Sequence, residues 1–109
     1  MKRQVITYNA IEGFHHYPNA PVSCHYLKNR HRHIFVIRCT FDVSNNNREI
    51  EINTQQNQIE MFLESNFGHP CEFGAYSCED IAEVILNKFP NMTQCSVKED
   101  DYGGATLTR

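Results

Sequence analysis

No run of about 18 apolar residues occurs in this 109-residue chain, so no segment is a candidate membrane-spanning helix. The opening residues Met1-Lys2-Arg3-Gln4 lead directly into an alternating segment, without the apolar core of a secretion signal. The five cysteines are odd in number and lack paired spacing. That excludes a disulfide framework and indicates a reducing, cytoplasmic setting with mostly buried thiols. Neither sign of charge dominates: the formal net charge is −3, which excludes bulk nucleic-acid binding. There are no internal repeats, and only the turn Ser44-Asn45-Asn46-Asn47 is low in complexity. The length suits one domain, residues 1–109. A lone domain of this size buries only about two-thirds of its unfolded surface, so self-association is a natural way to bury more.

What the chain does have is an uneven distribution of charge and histidine. Residues 2–38 hold five of the six histidines and a single acid, Glu12, whereas most of the acids follow. Lys28, Arg30, Arg32 and Arg38 surround the histidines, which suits an anionic small molecule such as a phosphate ester or carboxylate. A solvated basic loop balanced by acidic helices explains the same pattern.

The alternation of residues 4–15 predicts a first strand. Residues 16–30 read as a long loop punctuated by Pro18 and Pro21. Residues 33–43 form the best strand, with Phe35, Ile37, Cys39, Phe41 and Val43 in one row. Glu49–Ile52 alternates again and is expected to continue the hairpin. Thr54 is expected to open a helix with the stripe Ile59, Phe62, Leu63, Phe67, stopped by Gly68. A second helix starts at a capping box of Ser77 and Asp80 and buries Ile81, Ala82, Ile85, Leu86 and Phe89. The tail reads as a β-hairpin around a Gly-rich loop. The expected fold is α+β in the order ββααββ. It is an antiparallel four-stranded sheet with two helices on one face, its edges closed by oligomerisation into a tetramer or larger.

Within this frame, His31 and His33 alternate at the head of the best strand and project together. His15 ends the preceding strand and completes a compact three-nitrogen site for zinc or an anion. His16 and His25 are weaker candidates. Glu99 lies near the end of a strand, where a carboxylate can accept two hydrogen bonds from the N–H/NH2 edge of a guanine or pterin ring. Beside Asp100 and Asp101 it also reads as a plain solvent-facing acid. Glu79, in the first turn of the second helix, either compensates the helix dipole or meets a ligand. Cys24 is a nucleophile if His16, His25 or Arg30 activates it, and an ordinary loop thiol otherwise. Cys39 and Cys95 have the phase of core residues.

Several segments together resemble the tunnelling-fold (T-fold) superfamily, and most nearly its 6-pyruvoyl- and 6-carboxytetrahydropterin synthases. They are Phe14-His15-His16-Tyr17-Pro18, Cys24, His31-Arg32-His33, Ser77-Cys78-Glu79-Asp80-Ile81-Ala82 and Val97-Lys98-Glu99-Asp100. The resemblance covers about residues 5–108. It implies that His15, His31 and His33 bind zinc, that Glu99 holds a pterin or purine ring, and that the pocket lies between subunits. For an enzyme of this type it implies acid–base roles for Cys24 and His69. The chain departs from the family pattern at three places. Cys24 stands seven residues before His31, Arg32 replaces the glycine of His-Gly-His, and Gly68 precedes His69 where the proton relay has Asp. The chain also looks like a group of small phage-encoded proteins that share Phe-His-x-aromatic-Pro, His-Arg-His, Ser-Cys-Glu and a late Glu-Asp before a Gly-rich turn.

Three readings follow. The first is a phage-type T-fold oligomer that sequesters a purine nucleotide without turnover, in the manner of a sponge for a cyclic-nucleotide immune signal. In it Glu99 and Glu79 read the base, while Arg30, Arg32 and the histidines take the phosphates. The second is a zinc-dependent pterin synthase-like enzyme acting on a pterin or purine-derived substrate. The third is a structural domain with no ligand.

Overall fold

The computed structural model describes residues 1–109. Strand β1 (Arg3–His15) pairs antiparallel with β2 (His31–Val43) along its whole length, from Arg3 opposite Val43 to His15 opposite His31. Helix α1 (Ile52–Phe67), strand β3 (Cys71–Gly74) and helix α2 (Cys78–Lys88) follow. Strands β4 (Met92–Glu99) and β5 (Gly103–Thr108) close the chain. The sheet order is β3-β1-β2-β4-β5.

The expected four-stranded antiparallel sheet is therefore corrected to a five-stranded mixed one. The added strand β3 runs parallel to the end of β1, pairing Gly13 with Cys71 and Phe14 with Glu72. Its four residues are too few to show alternation, and only the return of the chain from α1 brings them to β1. The expected strand Glu49–Ile52 does not form. Glu51 caps α1 instead, its carboxylate accepting the backbone N–H groups of Asn53 (2.8 Å) and Thr54 (3.1 Å), so the helix opens at Ile52 and not at Thr54. Residues 16–30 are not all loop: Val22–Lys28 forms a 3₁₀ segment kinked at Cys24.

Other local signals act as expected. Ser77 and Asp80 form a reciprocal capping box at α2. Gly68 ends α1 at φ 85°, a conformation that favours glycine. Both helices cover the same sheet face. Phe35, Ile37, Cys39 and Phe41 of β2 are fully buried there against Ile59 and Leu63 of α1 and Ile81 and Ile85 of α2. Cys39 lies opposite Cys95 in the core, both as free thiols, and four of the five cysteines are buried.

The more apolar row of β1 faces the other way. Thr7, Asn9, Ile11 and His15 turn toward the helices, leaving Tyr8 and Ala10 exposed on the opposite face with Ile6 and Phe14 partly covered. Asn9 Nδ2 donates to the Gln56 carbonyl and Gln56 Nε2 to the Tyr8 carbonyl, fixing α1 on β1. No helix is long and apolar enough to cross a membrane.

At the β4–β5 hairpin, Gly104 lies directly against the neighbouring backbone. A Cβ there would overlap the Val97 carbonyl oxygen and sit 2.6 Å from Lys98 Cα. Neither is a side chain that can rotate away, so the strands must separate. Gly104→Ala is expected to cost at least about 1–3 kcal/mol, the range of overpacking strain, read as a lower urea midpoint. An unchanged midpoint would show that β5 tolerates displacement.

Candidate functional site

The antiparallel register builds the site. It sets His15, the last residue of β1, opposite His31, the first of β2, with His33 two residues along on the same face. The ring centroids of His15 and His31 are 4.6 Å apart, those of His31 and His33 4.9 Å, and those of His15 and His33 5.2 Å. One nitrogen from each ring lies within 4.8 Å of the others. Phe35, next in the β2 row, packs edge-on beneath His15 and His33. Glu99 ends the inward row Cys95-Val97-Glu99 of β4 and pairs with Phe35, which carries it to the same cluster.

The outer nitrogen of every ring is occupied. His15 Nδ1 is 2.9 Å from the Tyr76 carbonyl, His31 Nδ1 is 2.9 Å from the Asn29 carbonyl, and His33 Nδ1 is 2.7 Å from Asp100 Oδ2. A carbonyl or carboxylate oxygen only accepts, so each Nδ1 donates. A neutral ring then keeps its lone pair on Nε2, whereas a protonated one donates from Nε2 as well, as His15 does to Glu99 Oε1 in their ion pair. The Nε2 of His33 is buried and has no hydrogen-bond partner. His15 Nε2 is 3.1 Å from Glu99 Oε1, and His33 Nε2 is 3.6 Å from Glu99 Oε2. Three imidazoles oriented by oxygen atoms, with an orphaned nitrogen among them, fit a zinc ion.

Charge and burial act together here. Burial pulls the His15 imidazole down, but the hydrogen bond to Glu99, the Tyr76 carbonyl and the Glu99 charge together hold it above its usual value. The hydrogen bond from His15 depresses Glu99 against the opposing effect of burial. The hydrogen bond from His33, then the Ile34 N–H, lowers Asp100. Cys78 donates to Glu99 Oε1 across 3.5 Å, and burial followed by the Glu99 charge pushes its thiol up to about 12. It stays protonated and is no nucleophile.

A cavity of about 470 Å³ opens beside the cluster, bounded by His15, His31, Glu99, Glu79, Tyr76 and His16. That volume suits a small bicyclic ligand. Glu79, from the first turn of α2, lines it as well.

Four of the candidate residues lie elsewhere. Arg32 stands between His31 and His33, so the alternation that joins the two rings turns it to the other sheet face, where Nε meets Glu12 at 2.5 Å. Arg30 pairs with Glu72 and stacks on the Phe14 ring on that same outer face. Neither arginine reaches the histidines. Cys24 sits in the 3₁₀ segment and does not line the cavity. His69 is exposed after α1, 3.3 Å from Glu64. Asp100, by contrast, reads in the sequence as one more surface acid. It adopts φ 50° and holds both His33 and the Ile34 N–H (2.9 Å). The only local signal for this was its place between a strand end and a Gly-Gly turn.

No protein-family model matches the chain. No curated protein matches it by sequence. Among solved structures it is similar to the 6-pyruvoyl tetrahydropterin synthase of Caenorhabditis elegans. The TM-score is 0.70 at 9% sequence identity, over 100% of this chain and 96% of that one. At that identity the likeness shows the fold: the chain has an α+β architecture resembling the T-fold of that synthase.

Proposed function

We propose that the chain is a zinc-dependent, pterin synthase-like protein that binds a flat bicycle of the pterin–purine class. The reading rests on one observation above all: three imidazoles, each anchored through Nδ1, converge beside a cavity of ligand size. His15, His31 and His33 would hold the metal. Zinc at such a site supplies Lewis acidity toward an oxygen of the ligand. Asp100 fixes the tautomer and direction of His33, and Phe35 supports the rings from below.

Both oxygens of Glu99 already face histidines, so the ring's N–H/NH2 edge is assigned to Glu79. Neither Cys24 nor His69 lines the cavity, so a single chain brings binding groups to it without a thiol–imidazole pair. Binding is thus the activity that this chain's own residues support best. Sequestration of a purine nucleotide is the weaker reading, because Arg30 and Arg32, its expected phosphate ligands, pair with acids on the opposite face. The reading includes a closed homo-oligomer: the outward edges of β3 and β5 are unpaired, and Tyr8 and Ala10 lie exposed on the uncovered sheet face.

Calorimetric titration with a pterin and with guanine and adenine nucleotides, alongside zinc analysis, tests this. The expected result is about one zinc per chain and pterin binding that weakens at least ~10-fold in Glu79→Gln, from the loss of a charged hydrogen bond. Unchanged affinity in Glu79→Gln would remove it from the ring site. Absence of bound zinc after equimolar loading would end the metal reading.

A further inference from the structure

We infer that Cys78 is a positioning residue for the ligand cavity: its thiol, at the start of α2, holds the Glu99 carboxylate on β4 and with it the helical turn that carries Glu79. The inference deepens the pterin–purine reading of the cavity and rests on it. In the stretch from Ala75 to Glu79, every residue but Cys78 lines the cavity. Cys78 is only 6% exposed and belongs to the buried core. The capping box fixes its direction. The Ser77 hydroxyl accepts the Asp80 N–H at 3.1 Å, and the Asp80 carboxylate accepts the Ser77 N–H at 3.0 Å. The turn so fixed aims Cys78 Sγ at Glu99 Oε1, 3.5 Å away. A carboxylate only accepts, so the S–H donates.

This contact closes a ring across three elements. The Tyr76 carbonyl is 2.9 Å from His15 Nδ1, and His15 Nε2 is 3.1 Å from Glu99 Oε1. Glu99 Oε1 then meets Cys78, two residues after Tyr76. The end of β1, the end of β4 and the start of α2 are thereby tied together at the cavity wall. The terminal torsion of a glutamate is soft, so a carboxylate that loses a donor turns readily. Without the thiol, the first turn of α2 also loses its side-chain hydrogen bond to β4. Glu79 is the next residue of that turn, and it is the acid assigned to the ring edge. A thiol present for packing alone needs no acceptor, and an apolar side chain of similar size serves as well. Packing and hydrogen bonding are therefore separable by substitution.

The experiment compares wild type with Cys78→Ser, which keeps a donor, and Cys78→Val, which fills the space without one. Glu83→Gln on the exposed face of α2 is the control. Affinity for unsubstituted pterin is read by calorimetry and zinc affinity by competition with a chromophoric chelator, with circular dichroism as the check on folding. Cys78→Val should weaken pterin binding about 5–10-fold, the effect of one modest hydrogen bond, while Cys78→Ser and Glu83→Gln stay close to wild type. Zinc affinity should be unchanged throughout, because the three histidines keep their anchors. In a Glu99→Ala background, Cys78→Val should add little, since the thiol's partner is already gone. The infrared S–H band missing from Cys78→Ser should lie below the frequency of an unbonded thiol in wild type, and rise in Glu99→Ala. Equal loss in Cys78→Ser and Cys78→Val, parallel loss of zinc and pterin, or a band at the unbonded frequency would overturn the assignment. Wild type that binds no pterin would fail the cavity reading instead, and the band alone then decides whether Cys78 holds Glu99.

Discussion

Zinc affinity is expected to fall by about 10²–10³-fold in His33→Ala. Binding at zinc sites of four protein ligands is about 10–16 kcal/mol, so each ligand accounts for roughly 2.5–4 kcal/mol. His33 is a strong test because its Nε2 is buried and otherwise without a partner, which makes the ring poorly explained as a structural residue. Asp100→Asn should have a smaller effect, about 10–100-fold, because the single amide oxygen can accept from His33 Nδ1 or from the Ile34 N–H but not from both, and the charge assistance is lost. His69→Ala, exposed and remote from the cavity, should bind zinc as wild type does. The order His33→Ala weakest, Asp100→Asn intermediate and His69→Ala unchanged is the expected signature in chelator competition. Equal affinities across the series would remove the histidine cluster from metal binding.

The second large effect concerns stability. Phe35→Ala is expected to cost about 3–5 kcal/mol. The side chain is fully buried, packs edge-on against Phe73 at 5.0 Å, and supports His15 and His33 at 5.2 Å and 5.6 Å. Its loss leaves a void in the row that joins the core to the histidines. Against a typical total of about 5–15 kcal/mol, that takes a large share of the stability of a domain this small. Thermal unfolding followed by circular dichroism should show a fall in Tm of about 15–30 °C. Zinc should raise the variant's Tm less than it raises that of wild type, because the floor beneath two ligands is gone. A fall in Tm of only a few degrees would mean that neighbouring side chains collapse into the space.

Wherever a periodic pattern and a local contact agree, the sequence already contained the structure. The row Phe35-Ile37-Cys39-Phe41 buries as alternation demands, and the same alternation unites His31 with His33. It equally sends Arg32 outward, so the charge clustering around the histidines was misleading: proximity in sequence is not proximity on a face. The capping box at Ser77 and the stop at Gly68 depend on residues within one turn of the helix end, which is why they were legible. Glu51 replaced Thr54 as the start of α1 because a longer carboxylate reached two N–H groups at once, a competition that propensity alone does not rank.

The sequence by itself determined the α+β class, the two long strands, both amphipathic helices and the identity of the three histidines. The strands, the helices and the pairing of His31 with His33 follow from spacings of two, three or four residues, and His15 from its place at the end of the first strand. Only the tertiary structure decided the parallel strand β3, the burial of Thr7 and Asn9 in preference to Tyr8 and Ala10, and the partners of the cluster. Those partners come from distant segments: Tyr76 after β3, Cys78 in α2, and Glu99 and Asp100 at the end of β4. Their roles depend on strand register and on helix docking across the sheet. Such relations are set by the packing of the whole core, and no local window of residues encodes them.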